Sequence, residues 1–81
     1  MSNNEVDWIK KGLAHESNSE FKLAIASFSE AISKNPEDPI AWKLRGASYY
    51  RLNEFRQSVA DLDKSISLDS TDPDAYLYRG N

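Results

Sequence analysis

The side chains that could perform acid–base or nucleophilic chemistry in this sequence are few and lie far apart. His15 is the single histidine among 81 residues, and there is no cysteine. A catalytic nucleophile needs a base beside it, so we interpret His15 as a partly buried packing residue of a helix. Asp61 and Asp63 stand two positions apart in a helical pattern, and they therefore point to different sides instead of sharing a proton or a metal ion. We predict that the chain is not an enzyme and holds no cofactor or metal ion.

The three glycines also lack the clustering of a phosphate-binding loop. Gly12, Gly46 and Gly80 are separated by 34 residues each time. A fixed period of about 20–50 residues indicates a repeat array. Since each glycine lies inside a helical pattern, close packing between helices is the simpler explanation for all three.

Size, charge and composition narrow the classes of protein further. A chain of 81 residues forms one domain at most, which we place at residues 1–81. The net charge of −3 argues against nucleic-acid binding, which needs clustered lysine and arginine. No stretch approaches the roughly 18–20 apolar residues of a membrane span. The segment 1–4 lacks the basic start and apolar run of a secretory signal. The default expectation is a cytoplasmic protein without nucleic-acid or membrane partners.

Helical periodicity predicts five helices joined by short turns. Asp38 is placed to cap the third helix, and Pro39 suits its first position, where the missing N–H costs nothing. Because no segment shows strand alternation, we predict an all-α fold of antiparallel helix pairs stacked side by side. The predicted helices run from Glu5 to about Ser17, from about Glu20 to Ser33, from Pro39 to about Leu52, from about Glu54 to Leu68, and onward from Asp72–Pro73.

The residues that recur with this period form a defined motif. The first copy reads Trp8-x-x-Lys11-Gly12-x-x-His15, then Ala24-x-x-x-Phe28 and Pro36; the second reads Trp42-x-x-Arg45-Gly46-x-x-Tyr49, then Ser58-x-x-x-Leu62; Tyr76 to Gly80 opens a third. This pattern resembles that of the tetratricopeptide repeat family. The resemblance implies a superhelical α-solenoid with full repeats at residues 5–38 and 39–72, and the first helix of a third repeat at residues 73–81.

The chain departs from the family pattern in two ways. His15 stands where the family usually has tyrosine, and Ser58 and Ser65 stand where small apolar residues are usual. The third repeat is also incomplete, and its residues Tyr76, Leu77 and Tyr78 do not resemble the polar capping helix that usually closes such an array. We expect either a fragment of a longer array or a homo-oligomer in which this end pairs with another copy.

The resemblance further implies a concave groove that holds an extended peptide or a helix of a partner protein. In each first helix a second apolar face, including Val6 and Ile40, lies away from the helix partner, so the chain has apolar surface to line such a groove. An alternative is that Val6, Ile9, Leu13, Ile40 or Leu44 simply pack in the core. Tyr50, Lys43 and Arg51 are stronger candidates for contact, because aromatic and arginine side chains are typical of binding surfaces. The predicted groove residues are Ile9, Lys10, Leu13, Lys43, Leu44, Ala47, Tyr50 and Arg51.

One subtype of the family binds the acidic C-terminal tails of heat-shock chaperones with a clamp of Lys, Asn and Arg side chains. Alignment with that subtype puts the clamp at Ile9, Leu13, Leu44, Asp74 and Tyr78 of this chain. None of these residues matches, and Asp74 has the wrong sign for a carboxylate. The sequence therefore predicts a non-enzymatic scaffold or adaptor for a hydrophobic partner with some acidic residues, and not a chaperone-tail adaptor.

Overall fold

The computed structural model describes residues 4–73 and residue 75. This part of the chain contains four α-helices and no strand: α1 (Glu5–Ser17), α2 (Phe21–Lys34), α3 (Pro39–Arg51) and α4 (Phe55–Leu68). The predicted all-α fold is confirmed. Pro73 and Ala75 are helical, as expected for the start of the next helix, and the rest of that segment lies outside the described residues.

Local side chains define where the first helix of each pair begins. The Asn4 side chain accepts a hydrogen bond from the backbone N–H of Asp7, at 3.2 Å. In the same way Asp38 Oδ1 accepts one from the N–H of Ile40, at 2.9 Å, with Pro39 at the first position of α3. Such caps satisfy donors that a helix start would otherwise leave unpaired.

The turn inside each helix pair has the same geometry in both copies. Ser19 and Asn53 lie 34 positions apart and adopt left-handed backbone conformations, with φ of 61° and 63°. After the turn, the Glu20 N–H donates to the carbonyl of His15, and the Glu54 N–H donates to that of Tyr49. The left-handed residue reverses the chain sharply enough to pack α2 against α1 and α4 against α3.

Close approach of the paired helices explains two of the three glycines. A Cβ atom on Gly12 would lie 2.3 Å from Cε1 of Phe28, and one on Gly46 would lie 2.9 Å from Cγ of Leu62. Phe28 and Leu62 are fully buried, so their side chains fill the space that each glycine leaves. The prediction that these glycines serve helix packing is confirmed by this geometry.

The two helix pairs are joined by a shared apolar cluster between α2 and α3. Ala31, Ile32 and Ala41 are buried there, and Trp8 and Trp42 pack against them while remaining partly exposed. The Trp42 indole N–H donates to the carbonyl of Pro36, at 2.9 Å, which fixes the ring over the loop between the pairs. The core is therefore continuous from one repeat to the next.

Four polar side chains of the second pair, Arg45, Ser58, Asp61 and Ser65, have hydrogen-bond partners inside it. Ser58 and Ser65, which replace small apolar residues of the family pattern, donate hydrogen bonds to the carbonyls of Gly46 and Pro39, at 2.8 and 2.9 Å. Their hydroxyl groups thus connect α4 to α3 by hydrogen bonds instead of remaining unsatisfied. Arg45 binds both carboxylate oxygens of Asp61, at 2.7 and 2.8 Å, and this hydrogen bonding raises the pKa of its guanidinium.

Candidate functional site

The strongest candidate for a contact surface is the apolar face of α1 and α3, which we call the α1–α3 face. It contains Val6, Lys10 and Leu13 of α1 and Ile40, Lys43 and Leu44 of α3. Val6 and Ile40 occupy matching repeat positions and are 54% and 51% exposed. Ile40 is exposed although α3 packs against both α2 and α4, whereas α1 packs against α2. The exposure of this position therefore belongs to the repeat itself and not to the first helix of the chain.

Leu13 and Ala47 are both predicted groove residues and occupy matching positions of the two repeats, but their side chains differ in exposure. Leu13 is exposed, whereas Ala47 is buried. A buried methyl group offers little to a partner, so the structure favours Leu13 over Ala47 as a contact residue. Leu44 is partly buried and lies between these extremes.

Ile9 is partly buried and packs against the core. Its side chain is partly buried against the cluster that contains Ala31, Ile32 and Ala41. These contacts favour the core interpretation of this position, and a groove role for the exposed part of Ile9 stays a prediction. Its repeat counterpart is Lys43, so the two copies use this position differently.

The two lysines of the α1–α3 face have different surroundings. Lys10 is exposed and stands between Val6 and Leu13 along α1. Lys43 instead bonds to Asp72, with its Nζ 2.7 Å from the carboxylate oxygen Oδ2. Both side chains of that pair are largely shielded from solvent, with exposures of 19% and 20%. The face therefore offers one exposed ammonium and one that is paired within the chain.

Tyr50 and Arg51 are engaged with neighbouring helices. The Tyr50 ring meets the Phe55 ring edge-on, with the ring centres 5.4 Å apart. The Arg51 guanidinium lies over the ring of Phe21, 5.7 Å from its centre. Both residues lie at the C-terminal end of α3, where their side chains contact α4 and α2.

Sequence reasoning left two of the most exposed aliphatic residues out of the predicted groove. Val6 and Ile40 had been placed on the second apolar face but assigned equally to groove or core. Their 34-residue spacing was visible in the sequence, and that signal singles them out once each is seen to be exposed. The predicted self-association residues Tyr76, Leu77 and Tyr78 lie outside the described residues, as does Asp74.

His15 takes a structural position at the turn of the first helix pair. Its Nδ1 lies 2.9 Å from Oε1 of Glu20, across the turn between α1 and α2. Among the described residues no group of three or more potential ligands is placed to hold a metal ion. Likewise, no helix in the described part of the chain has the length and apolarity required to cross a membrane.

Comparison with protein families decides the relationship of the chain. A family model described as Tetratricopeptide repeat matches residues 9–73, which is more than half of the sequence. The chain belongs to the tetratricopeptide repeat family. Comparison with curated proteins returned no match.

Solved structures of tetratricopeptide repeat domains superpose on nearly the whole chain. The first such domain of Spaghetti (RPAP3), bound to the HSP90 peptide SRMEEVD, has a TM-score of 0.94 and 22% sequence identity, covering 99% of this chain and 64% of that one. The TPR2B domain of yeast Sti1, in a complex with pHsp70, has a TM-score of 0.91 and 25% identity, covering 93% of this chain and 60% of that one. The chain thus spans less than two thirds of the length of either structure.

Proposed function

We propose that this chain is a non-enzymatic interaction module that binds a segment of a partner protein on the α1–α3 face. The observation that carries the proposal is the exposure of Val6 and Ile40, at 54% and 51%, at matching positions of two packed repeats. Aliphatic side chains displayed repeatedly on one helix position form a surface that gains free energy when a partner covers it.

The charge of the face indicates the chemistry of the partner. Lys10 is flanked by Val6 and Leu13, at spacings of four and three residues, so all three share one side of α1. A partner segment with apolar side chains and an acidic residue between them complements this order of groups. The proposed partner is therefore a hydrophobic peptide or helix with some acidic residues.

The solved structures support the general function and not a particular partner. Both are complexes of repeat domains with chaperone-derived ligands. In this chain the positions of the chaperone-tail clamp carry Ile9 in the core, Leu13 exposed and Leu44 partly buried. Apolar side chains at those positions favour a partner other than an acidic chaperone tail.

Selection of peptides from a random library on the wild-type chain tests the proposal. The tightest peptide would be measured against Val6→Ser and Ile40→Ser, alone and together. We expect the double variant to lose about tenfold or more in affinity, since each buried aliphatic side chain is worth about 1.5–3 kcal/mol.

Leu23→Ser is the matched control for this experiment. Leu23 is 51% exposed, like Val6 and Ile40, but it lies on α2. Its substitution should leave affinity unchanged. Equal losses for Leu23→Ser and for the double variant, or a library that yields no binder, would refute binding on the α1–α3 face.

Self-association is a second candidate, favoured by exposed apolar residues on α4. Phe55 and Val59 are 52% and 40% exposed, whereas Phe21 and Ile25, their counterparts in α2, are partly buried in the array. A second copy would remove this surface from water, as we expect from the sequence for Tyr76, Leu77 and Tyr78. Sedimentation over a concentration series measures it: Phe55→Ser with Val59→Ser should lower the mass of any oligomer, and a wild-type monomer at all concentrations would exclude this function.

A further inference from the structure

We propose that Asp72 determines which charge the α1–α3 face offers to a partner, by bonding Lys43 within the chain and leaving Lys10 to bind partner carboxylates. The inference rests on the proposed function and adds to it a residue that controls partner choice. Asp72 is then a positioning residue, because it acts through a lysine and does not itself contact the partner.

The geometry of the pair supports this role. Lys43 Nζ and Asp72 Oδ2 are 2.7 Å apart, the short distance of a charge-assisted hydrogen bond. About four fifths of each side chain is covered, since the exposures are 19% and 20%. A partly buried pair is screened less by solvent than a surface pair, so the carboxylate of Asp72 competes well for this ammonium.

Comparison of the two repeats shows that the pair is specific to the second. The counterparts of Lys43 and Asp72 are Ile9 and Asp38, and Ile9 packs into the core. Asp38 uses Oδ1 to cap α3. The repeat scaffold therefore does not need an ion pair at this position, and its presence in the second copy is a feature of this chain.

The carboxylate of Asp69 further disfavours the approach of a partner carboxylate to Lys43. Hydrogen bonds from Thr71 lower the pKa of Asp69, in the same loop, with a smaller contribution from Lys43. A partner carboxylate that approached Lys43 would therefore meet negative charge from both Asp72 and Asp69, and it would have to displace an existing bond. Lys10 is exposed on α1 and lies between aliphatic neighbours. Acidic groups of a partner are thus directed toward α1.

Binding of a synthetic peptide that alternates leucine with glutamate, the chemistry proposed for the partner, to Asp72→Ser tests the proposal. Serine keeps an oxygen suited to the helix-capping position while removing the charge. We expect the affinity to rise about fivefold over the wild type, the ratio for a partly covered ion pair of about 1 kcal/mol, and the gain to shrink as salt is added. The NMR signals of the Lys43 side chain should respond to the peptide in the variant and not in the wild type.

Glu37→Gln is the control for net charge. Glu37 is exposed in the loop between α2 and α3, and its substitution changes the charge of the chain by the same amount. Its affinity should stay within about twofold of the wild type, by the modest effect expected of a distant surface charge. Equal gains for Glu37→Gln and Asp72→Ser would overturn the proposal, because net charge alone would then explain them.

Lysine variants provide a readout that does not depend on altering Asp72. In the wild type we expect Lys10→Met to weaken binding of the same leucine–glutamate peptide and Lys43→Met to leave it unchanged. The reverse order, or the absence of any gain for Asp72→Ser whether or not the wild type binds, contradicts the proposal. Failure of the proposed function is recognised separately, since the library-selected peptide would then be insensitive to Val6→Ser with Ile40→Ser.

Discussion

Replacement of Gly12 by alanine tests whether close helix approach defines each repeat. In a solvent-exposed helix this change stabilises by about 1 kcal/mol, because glycine is a poor helix former. Here the added Cβ would lie 2.3, 2.6 and 2.8 Å from three ring atoms of Phe28. The Phe28 ring is fully buried and rigid, so it cannot move aside as a flexible side chain would.

The expected magnitude follows from the balance of these two effects. Overpacking of a dense core costs about 1–3 kcal/mol. Because the contacts with Phe28 are so short, we place the cost of Gly12→Ala at the upper end of this range. After the gain in helix propensity, the net loss is about 2 kcal/mol. For a domain of this size, that loss lowers the melting temperature by about 10 °C.

Gly46→Ala provides an internal comparison within the same chain. Its Cβ would lie 2.9 Å from Cγ and 3.1 Å from Cδ2 of Leu62, and 3.2 Å from Cβ of Asp61. The buried Leu62 side chain must also shift, but by less than the Phe28 ring, so the propensity gain should offset much of the cost and leave a net loss of about 1 kcal/mol. Gly12→Ala should therefore be the more damaging of two chemically identical substitutions.

Urea unfolding followed by circular dichroism measures both variants, and a double-mutant cycle identifies the cause. Phe28→Leu removes the ring that clashes, so it should recover about 1 kcal/mol or more of the loss in Gly12→Ala. A Gly12→Ala chain as stable as the wild type, or a cycle with no coupling to Phe28, would refute the reasoning.

Two further predictions concern charged groups. Asp61→Ala should destabilise the chain by about 2–3 kcal/mol in urea unfolding, because it leaves the Arg45 guanidinium without the carboxylate that binds it at two points; a loss below about 0.5 kcal/mol, typical of a surface site, would show that the pair does not matter. The neighbouring Asp38, and secondarily burial, raise the pKa of Glu5, so its contribution to stability is complete below its unfolded pKa and is lost as pH rises through the folded value. Glu5→Gln should therefore be more stable than the wild type at neutral pH, with a smaller decline in urea midpoint between acidic and neutral pH; an unchanged pH profile would contradict this.

The helices could be predicted from the sequence because their signals are local. Capping residues, apolar periodicity and turn residues act within a few positions of each other, and the 34-residue period repeats each signal. Ser19 and Asn53 illustrate this, since both lie between predicted helices and both adopt the left-handed conformation at the turn. Agreement between the copies made each helix assignment more reliable than a single pattern would.

The surroundings of the candidate surface residues could not be predicted in the same way. Whether Tyr50 faces solvent or the ring of Phe55 depends on the height and angle at which α4 packs on α3. The pairing of Arg45 with Asp61 likewise joins two helices. Helix periodicity gives the direction of a side chain around its own axis, but it does not give the distance to a group on another helix.

Ile9 and Lys43 occupy the same position of the first and second repeats. They show why differences between the two repeats are informative about function. The backbone site is the same, yet Ile9 closes the core while Lys43 bonds to Asp72. A residue required by the scaffold alone would satisfy the same packing in both copies, as the buried glycines Gly12 and Gly46 do. At a position where the two repeats carry residues of different charge, the fold accepts either residue. The residue type at such a position can therefore be determined by the requirements of a partner. The charge pattern around Lys43 and Lys10 is therefore the part of this chain in which we expect partner specificity to reside.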